Sequence, residues 1–473
     1  MLFSSTTFLY LFLPVVLFFN FAVFRKSRPL QNVFLLLSSL FFYAWGEPWF
    51  VLIMLLSIAV NWFLGLAVSR FIDSKRLTKA ILAIDVVFNL SILFYFKYLM
   101  FAGRIFFNLT GISLQIPEIV LPIGISFFTF QAMSYVIDVY RGRGEVQVNP
   151  LYVGLYISFF PQLIAGPIVR YQTIADEIKN RRETKDDFFN GFARFVVGLS
   201  KKVLLANGFA ILADLVFDGM KGGQSCSVLF SWLGAVAYTL QIFFDFSGYS
   251  DMAIGLGRMF GFHYLENFNY PYISTSVSEF WRRWHISLGT WFRDYVYIPL
   301  GGNRKGKARQ ILNLFIVWFL TGLWHGAYYT FIAWGLMYFV LLVLEKQTGL
   351  EKKQGSSLTT ALKWVYTQVF VVLGWVIFRC DTIGDAGVYM KSLFGLNGNA
   401  FADGVFAGWF AQNLILLMIG VLLSSPAFRM LGEKTKDNRA MQWAKAAALA
   451  VLFVLSVASL VSNSYNPFIY FNF

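Results

Sequence analysis

Apolar residues along this chain come in long runs that are separated by short polar segments. A helix needs about 20 mostly apolar residues to cross the hydrocarbon core of a bilayer, so the runs predict an all-α, polytopic membrane protein with about 11 to 12 transmembrane helices. The predicted spans are roughly 7–24, 30–46, 48–69, 80–101, 117–140, 191–217, 228–257, 310–324, 326–345, 364–380, 405–425 and 442–462. The first run lacks a basic segment before it and a small-residue cleavage site after it, so we expect a retained span rather than a signal peptide.

Two segments interrupt this pattern. Residues 150–170 are apolar enough to span, but basic residues flank both ends, and Pro161, Gly166 and Pro167 would break a helix there. Broken backbone at membrane depth is tolerated where protein buries it or where it lines a wet cavity, so we expect a re-entrant or interfacial segment. Residues 276–309 carry seven arginines and lysines among many aromatic residues. That segment cannot cross lipid, and we expect it at the cytoplasmic interface or folded into the protein.

Composition supports a membrane protein over a soluble one. The chain has 473 residues, of which 58% are hydrophobic and 14% charged, whereas a soluble domain is nearer half apolar and a quarter charged. The excess apolar surface needs lipid as a partner. The formal net charge of +14 could indicate nucleic acid binding, but the basic residues lie in short loops beside the apolar runs. They therefore indicate membrane orientation, and no nucleic acid partner is expected.

The distribution of basic residues predicts which side each loop faces. They follow the first, third, fifth, ninth and eleventh spans: Arg25, Lys26, Arg28; Arg70, Lys75, Arg76, Lys79; Arg141, Arg143; Lys346, Lys352, Lys353, Lys363; and Arg429, Lys434, Lys436, Arg439, Lys445. The loops on the opposite side carry few basic residues. Because cytoplasmic loops are enriched in Lys and Arg, we predict a multi-pass protein of a bacterial inner membrane with its N-terminus outside the cytoplasm.

Common sequence motifs of soluble enzymes and of ATP-driven pumps do not occur in the chain. Its two cysteines, Cys226 and Cys380, have no partner at metal-ligand spacing, so neither a disulfide framework nor a metal site is expected. The sequence holds no P-loop, no GxSxG elbow and no HExxH. A hydrolase of the soluble type or an ATP-driven pump is therefore disfavoured.

His325 is the first candidate for chemistry. It lies between two apolar runs, sixteen positions after the basic Arg309, and a helix would carry it roughly 24 Å inward. An ionisable group at that depth is costly and normally faces a cavity or pathway. Gly322 and Gly326 allow backbone or substrate to approach it closely. A neutral histidine hydrogen-bonded between packed helices is the alternative.

His285 lies in a run that mixes tryptophan and arginine, SEFWRRWHISLGTWFRDYVYIPLGGN. Trp281, Trp284 and Trp291 fall at helical spacing, which is also typical of an interfacial amphipathic helix. Read functionally, the segment forms a pocket that faces the cytoplasm. Its arginines would hold phosphates, because the guanidinium fork suits them, and its tryptophans would stack an aromatic ring. An anionic, nucleotide-bearing donor fits that pocket.

Two acids and a third histidine complete the candidates. Asp245 and Asp251 lie within an apolar run, where acids either pair structurally or line a cavity, and the sequence leaves both open. His263 comes just after a span and is expected to be interfacial, without a role in chemistry.

The segment SEFWRRWHISLGTWFRDYVYIPLGGNRKG, followed by GLWHGA, resembles the membrane-bound O-acyltransferase (MBOAT) family, and more narrowly its bacterial alginate O-acetyltransferase type. FFPQLIAGPIVRY, DFSGYSDMAIG, ENFNYPY and the tail NPFIYFNF support the resemblance. It implies one domain over 1–473, with a core at 150–345, peripheral helices at 1–140 and C-terminal helices at 360–473. It also implies a funnel of helices with re-entrant segments around the site.

The resemblance further implies the roles of residues and ligands. His325 matches the family's essential histidine and His285 its second characteristic position. Donor-binding residues are expected at Trp281, Arg282, Arg283, Trp284, Trp324, Asp245 and Asn303. The donor is a coenzyme A or carrier-protein thioester, acetyl-CoA above all, and no cofactor is bound permanently. The acyl group leaves on the extracytoplasmic side, often through partner proteins that modify a polysaccharide such as alginate.

These residues suit acyl transfer from a thioester, either with His325 as base or through an acyl-imidazole on His325. Two other classes of function stay open from the sequence. A transporter or flippase would also use intramembrane acids and broken helices, although paired repeats are not found. A platform for a secretion complex would need no histidine chemistry.

Overall fold

The structure is a computed structural model that describes residues 1–352, 355–435, 437–462 and 465–469. Lys353, Lys436 and the last four residues of the predicted tail motif, 470–473, lie outside that description. Within it, regular structure is helical and no strand occurs. The all-α prediction is therefore confirmed.

The helices divide into long apolar ones and short ones. Their bounds are α1 Phe8–Val23, α2 Arg28–Ala44, α3 Val51–Arg70, α4 Lys75–Thr110, α5 Ile125–Tyr140, α6 Pro150–Ser158, α7 Phe160–Leu163, α8 Tyr171–Asn180, α9 Lys185–Lys221, α10 Val228–Met259, α11 Val277–Arg283, α12 Ile286–Phe292, α13 Lys307–His325, α14 Tyr329–Thr348, α15 Ser357–Arg379, α16 Ile383–Leu393, α17 Gly404–Leu423, α18 Ala427–Lys434 and α19 Arg439–Ser462. Among the described residues, eight helices are long and apolar enough to cross a membrane: α3, α4, α9, α10, α14, α15, α17 and α19. Each matches a predicted span.

The four other predicted spans fall on α1, α2, α5 and α13, which lack that combination of length and apolar composition. The predicted start of the span at 117–140 is wrong. Residues 111–122 are irregular, and α5 begins only at Ile125. Pro117 and Pro122 lie in the irregular stretch, and Gly124 before the helix has a φ of 75°. Hydropathy could not detect this boundary, because the irregular stretch is as apolar as a helix.

The interrupted segment at 150–170 folds as its prolines predict. α6 ends at Ser158, Phe159 leaves the helical region with ψ at 117°, and only the single turn of α7 follows. The residues of 153–169 are all buried. The broken backbone is thus buried in protein, as the cost of unpaired peptide groups in lipid requires.

The packing divides the chain into two compact units. The first comprises Met1–Val196 and Tyr249–Leu265, and the second comprises Val197–Gly248 and the described residues from Glu266 onward. Both histidines of interest belong to the second unit. The predicted regions 1–140, 150–345 and 360–473 do not coincide with these units and remain a prediction about organisation.

A buried ion pair ties the second unit together. Lys202 Nζ lies 2.7 Å from Asp245 Oδ1, and both side chains are at most 3% exposed. The other oxygen of Asp245 accepts the backbone N–H of Ile469 at 2.9 Å. Lys202 also donates to the carbonyl of Pro467. The pair therefore joins α9 and α10 and holds the described part of the tail against them.

We predict that Lys202→Met destabilises the protein strongly, because it leaves the Asp245 carboxylate buried and uncompensated, at a cost of about 3–5 kcal/mol. The double variant Lys202→Met/Asp245→Leu should recover much of that loss. Thermal unfolding in detergent measures both.

Lys221→Met is the matched control, because Lys221 pairs with Asp381 at 2.6 Å while both side chains stay more than half exposed. We expect no measurable change in Tm there. An equal loss in the Lys202 and Lys221 variants would contradict a structural role for the buried pair.

Candidate active site

His325 is the last residue of α13 and lies in an aromatic enclosure. Its ring centroid is 4.9 Å from that of Trp324, 5.0 Å from Phe378 and 5.1 Å from Trp334. The residue is 7% exposed. An imidazole held edge to face by rings on three helices has little rotational freedom, so its orientation is fixed before any ligand binds.

Two glycines let α13 and α14 approach closely beside His325. A Cβ at Gly322 would lie 2.5 Å from the carbonyl oxygen of Phe331, and a Cβ at Gly326 would lie 2.3 Å from the Phe331 ring. Both distances are far below any real contact. From the sequence we expected these glycines to allow close approach of either backbone or substrate. In the structure, atoms of Phe331 occupy the space beside both glycines.

His285 lies at the junction of the two short helices α11 and α12. Its φ of 46° and ψ of 52° place it in the left-handed region, which a residue with a side chain adopts at a cost. Asn267 stabilises the junction, since its backbone carbonyl accepts the Ile286 N–H at 3.0 Å. The helix before it is fixed by Glu345 of α14, whose two carboxylate oxygens accept the N–H groups of Val277 and Ser278 at 2.6 and 2.8 Å.

Hydrogen bonds at His285 determine which ring nitrogen carries the proton. Asn267 Oδ1 lies 3.1 Å from the backbone nitrogen of Ser287, which can only donate, so this amide atom must be the oxygen. The same oxygen lies 3.2 Å from His285 Nδ1. Nδ1 therefore carries the hydrogen, and Nε2 of the neutral ring holds the lone pair. Nε2 is buried and has no hydrogen-bond partner among the described residues.

Both histidines line one cavity of about 630 Å³, which we call the histidine cavity. Its walls come from α11, α12, α13 and α14, and its lining also includes Trp281, Trp284, Leu288, Trp318 and Thr321. Three cations line it as well: Arg282, Arg293 and Lys346. Trp324 packs against both imidazoles, with its ring centroid 5.8 Å from that of His285 and 4.9 Å from that of His325. The cavity thus combines apolar walls, a region of three cations with the carboxylate of Glu351, and two histidines.

The structure brings most of the predicted site residues together. Trp281, Arg282, Trp284 and Asn303 line the cavity with the two histidines. Their partners refine the expected roles, since Arg282 pairs with Glu351 and Asn303 accepts the Tyr297 hydroxyl at 2.5 Å. Trp281 packs edge to face against Tyr338 at 4.8 Å, so it shapes the wall.

Three predicted donor-binding residues do not line the histidine cavity: Arg283, Asp245 and Trp324, of which Trp324 instead packs against both imidazoles. Arg283 pairs with Glu279 one turn earlier on α11, at 2.9 Å. Asp245 pairs with Lys202, and structural pairing is one of the two roles that the sequence left open for it. Asp251 likewise pairs with Arg194, at 2.8 Å in the first unit. His263 is half exposed and lies 2.9 Å from Glu177.

Sequence reasoning missed three residues of the site. Lys346 was counted only as a loop cation, although it lines the cavity from the end of α14. Glu345 and Asn267 fix the site through hydrogen bonds that join distant parts of the chain. A carboxylate next to a lysine at the end of an apolar run was the one available signal for Glu345, and Asn267 offered none beyond its place in ENFNYPY.

Comparison with known proteins gives one family. The sequence profile of MBOAT, the membrane-bound O-acyltransferase family, matches residues 37–380. The chain is 38% identical to the probable alginate O-acetylase AlgI of Pseudomonas putida, over the full length of both chains. It is 32% identical to the peptidoglycan O-acetyltransferase of Helicobacter pylori, over 100% of this chain and 98% of that protein. The teichoic acid D-alanyltransferase of Bacillus subtilis is 33% identical over 54% of this chain and 68% of its own length.

We predict that acid destabilises the protein partly through His285. Complete burial, outside the spanning helices, lowers the pKa of His285 to about 3. Well above pH 6.5 the imidazole is neutral in both the folded and the unfolded protein, so its contribution to the free energy of unfolding does not change with pH. Between pH 6.5 and 3 only the unfolded chain takes up the proton, and stability falls, by about 2 kcal/mol between pH 6.5 and 5.

The measurement is Tm in detergent at pH 7.5 and pH 5.0 for the wild type and for His285→Gln. The wild type should lose more stability on acidification than the variant, whose side chain cannot titrate. Equal losses would show that His285 is not buried in its neutral form.

Proposed function

Because the chain belongs to the membrane-bound O-acyltransferase family, we propose that it transfers an acetyl group from a cytoplasmic thioester to a hydroxyl acceptor outside the cytoplasm, for O-acetylation of a polysaccharide such as alginate. The protein is a multi-pass membrane O-acyltransferase. The single observation that carries the site assignment is the histidine cavity, into which α13 and the α11–α12 junction bring His325 and His285. Acetyl is favoured over D-alanyl, because the O-acetylating relatives match the whole chain.

The donor in this proposal is acetyl-CoA or another acyl thioester on a phosphate-bearing carrier. Its anionic part fits the cations Arg282, Arg293 and Lys346, because guanidinium and ammonium groups bind phosphate. The apolar wall suits the uncharged pantetheine arm and the acyl group. No cofactor is proposed to stay bound, since the acyl group arrives on the donor itself.

His325 acts as the base in the proposed step. Its neutral imidazole takes the proton of the acceptor hydroxyl as that oxygen bonds to the thioester carbonyl carbon. The C–S bond then breaks, and the thiolate receives the proton, so that the products are an ester and a free thiol. The covalent alternative, an acyl-imidazole on His325, needs the same cavity and the same histidine.

His285 orients the reactants. Its Nδ1–H is held by Asn267, so Nε2 presents a lone pair that can accept a hydrogen bond from an N–H or O–H of the bound thioester or acceptor. Its low pKa keeps the ring neutral throughout the physiological range. It is thus an acceptor at a fixed place and not a source of protons.

The membrane orientation and partners belong to the same proposal. In this proposal the basic loops face the cytoplasm, so Arg282 and Lys346 lie toward the cytoplasmic face of a bacterial inner membrane and the N-terminus lies outside. The acetylated polysaccharide then lies beyond the membrane, which calls for extracytoplasmic acyltransferase or secretion partners to carry the group onward.

We predict that His325→Ala abolishes transfer without affecting assembly. Removing a general base costs about 10²–10⁴ in rate. Purified protein is assayed for coenzyme A release from acetyl-CoA, and cells are assayed for acetylated polysaccharide. His263→Ala is the matched control, since this half-exposed histidine contacts Glu177 outside the histidine cavity, and its activity should equal that of the wild type. Normal acetylation by His325→Ala would refute the assignment.

A second prediction tests the cationic region. Arg282→Gln/Arg293→Gln should raise KM for acetyl-CoA by about tenfold or more, because each lost charged hydrogen bond weakens binding by about 1.5 kcal/mol. KM for S-acetyl-pantetheine, which has no phosphate, should stay the same. Arg429→Gln, an exposed arginine paired with Glu433, serves as the control. Equal increases for both donors would exclude phosphate recognition by these arginines.

A further inference from the structure

A second, smaller cavity is lined by Phe331 and Phe378, two residues whose rings lie near His325. Its volume is about 170 Å³, and we call it the polar cavity. Its polar lining includes Asp214, Tyr238, Gln241, Tyr328, Thr330, Arg379 and Asp381, and the described tail contributes Pro467 and Ile469. Arg379 donates to Asp214 at 2.9 Å. Such a lining favours water, and the volume is well above the roughly 10–15 Å³ that one water molecule needs.

Two phenylalanine rings separate this cavity from the imidazole. Phe331 and Phe378 line the polar cavity but not the histidine cavity, whereas His325 lines the histidine cavity but not the polar one. The Phe378 ring centroid is 5.0 Å from that of His325, and that of Phe331 is 6.4 Å away. The two phenyl rings are 4.8 Å apart. Among the described residues, these two rings, which we call the Phe331–Phe378 partition, thus lie against His325 and also line a polar, water-compatible space.

Neighbouring residues pack against the partition. Phe331 closes directly on Gly326, where a Cβ would lie 2.3 Å from its ring. Phe378 packs against Trp334 and Trp375, with ring centroids 5.3 and 5.6 Å away. The two residues are only 4% and 3% exposed. The rings are thus part of the packed core on one face and cavity wall on the other.

A base that activates a hydroxyl in front of a thioester also activates water. In that side reaction the water oxygen bonds to the acyl carbon and the C–S bond breaks. The proton that His325 takes passes to the thiolate, and the products are the free carboxylic acid and the thiol. Because water is far more concentrated than any acceptor, transfer requires that water be kept from His325.

Resting on the function proposed above, we propose that the Phe331–Phe378 partition sets the selectivity of this enzyme for its acceptor over water. The closed rings keep the contents of the polar cavity from the imidazole. The acceptor hydroxyl reaches His325 through the polar cavity by displacing these rings, and its bulk then fills the opening. Hydrolysis is suppressed by exclusion, and not by a lower reactivity of the base.

The test compares hydrolysis with transfer in Phe378→Ala and Phe331→Ala. Opening the partition should raise coenzyme A release from acetyl-CoA without acceptor by roughly tenfold, and should lower the fraction of released acetyl that reaches the polysaccharide. Phe378→Leu retains most of the bulk and should stay near the wild-type ratio. Phe63→Ala is the control, because this ring on α3 is 63% exposed.

The outcomes separate this proposal from the one on which it rests. If hydrolysis and transfer fall in parallel in both alanine variants, the rings only support packing and the partition is refuted. Adding His325→Ala to Phe378→Ala should abolish the extra hydrolysis. If hydrolysis survives that addition, His325 is not the base, which contradicts the proposed function independently of the partition.

Discussion

The cost of placing charged and polar groups in an apolar interior constrains the whole structure. Each buried ionisable group has to be paired, hydrogen-bonded or kept neutral. Lys202 and Asp245 form an ion pair. Glu345 accepts hydrogen bonds from the N-terminal N–H groups of α11, and His285 stays uncharged. The two imidazoles and the cations Arg282, Arg293 and Lys346 line the histidine cavity, and the chemistry is assigned to them. Arg282 and Arg293 are also ion-paired, with Glu351 and Asp294, so these groups are distinguished by lining the cavity and not by lacking a partner.

Aromatic packing performs the complementary task of holding those groups still. His325 is the last residue of α13. Its imidazole is held in position by the rings of Trp324, Trp334 and Phe378. The close approach of α13 and α14 at Gly322 makes that enclosure possible. A high content of aromatic residues therefore serves the interior of the site as well as the lipid-facing surface.

Some of this could be predicted from the sequence, and the reasons for the rest are physical. Apolar runs predicted the long helices, because span length depends on the bilayer alone. Pro161 and Pro167 predicted the broken segment, because proline has no backbone N–H to donate a helical hydrogen bond. The start of α5 was missed, since the apolar composition of 117–124 is the same in a helix and in an irregular stretch. The pairing of Asp245 with Lys202, and the bonds of Asn267 and Glu345, depend on residues that are far apart in the chain, so no local pattern indicates them.

The backbone at His285 shows why the site is built on interrupted helices. A left-handed, non-glycine residue costs on the order of 1–3 kcal/mol and persists only where its surroundings over-determine it. Asn267 stabilises this conformation. Its backbone carbonyl accepts a hydrogen bond from Ile286, and its side-chain oxygen accepts hydrogen bonds from Ser287 and His285. A continuous helix would have placed the side chain of residue 285 on a regular face and kept its backbone groups bonded internally. Breaking the helix instead lets the same turn set the position of the imidazole and its tautomer. The strain at this residue is consistent with a site where orientation matters more than local stability.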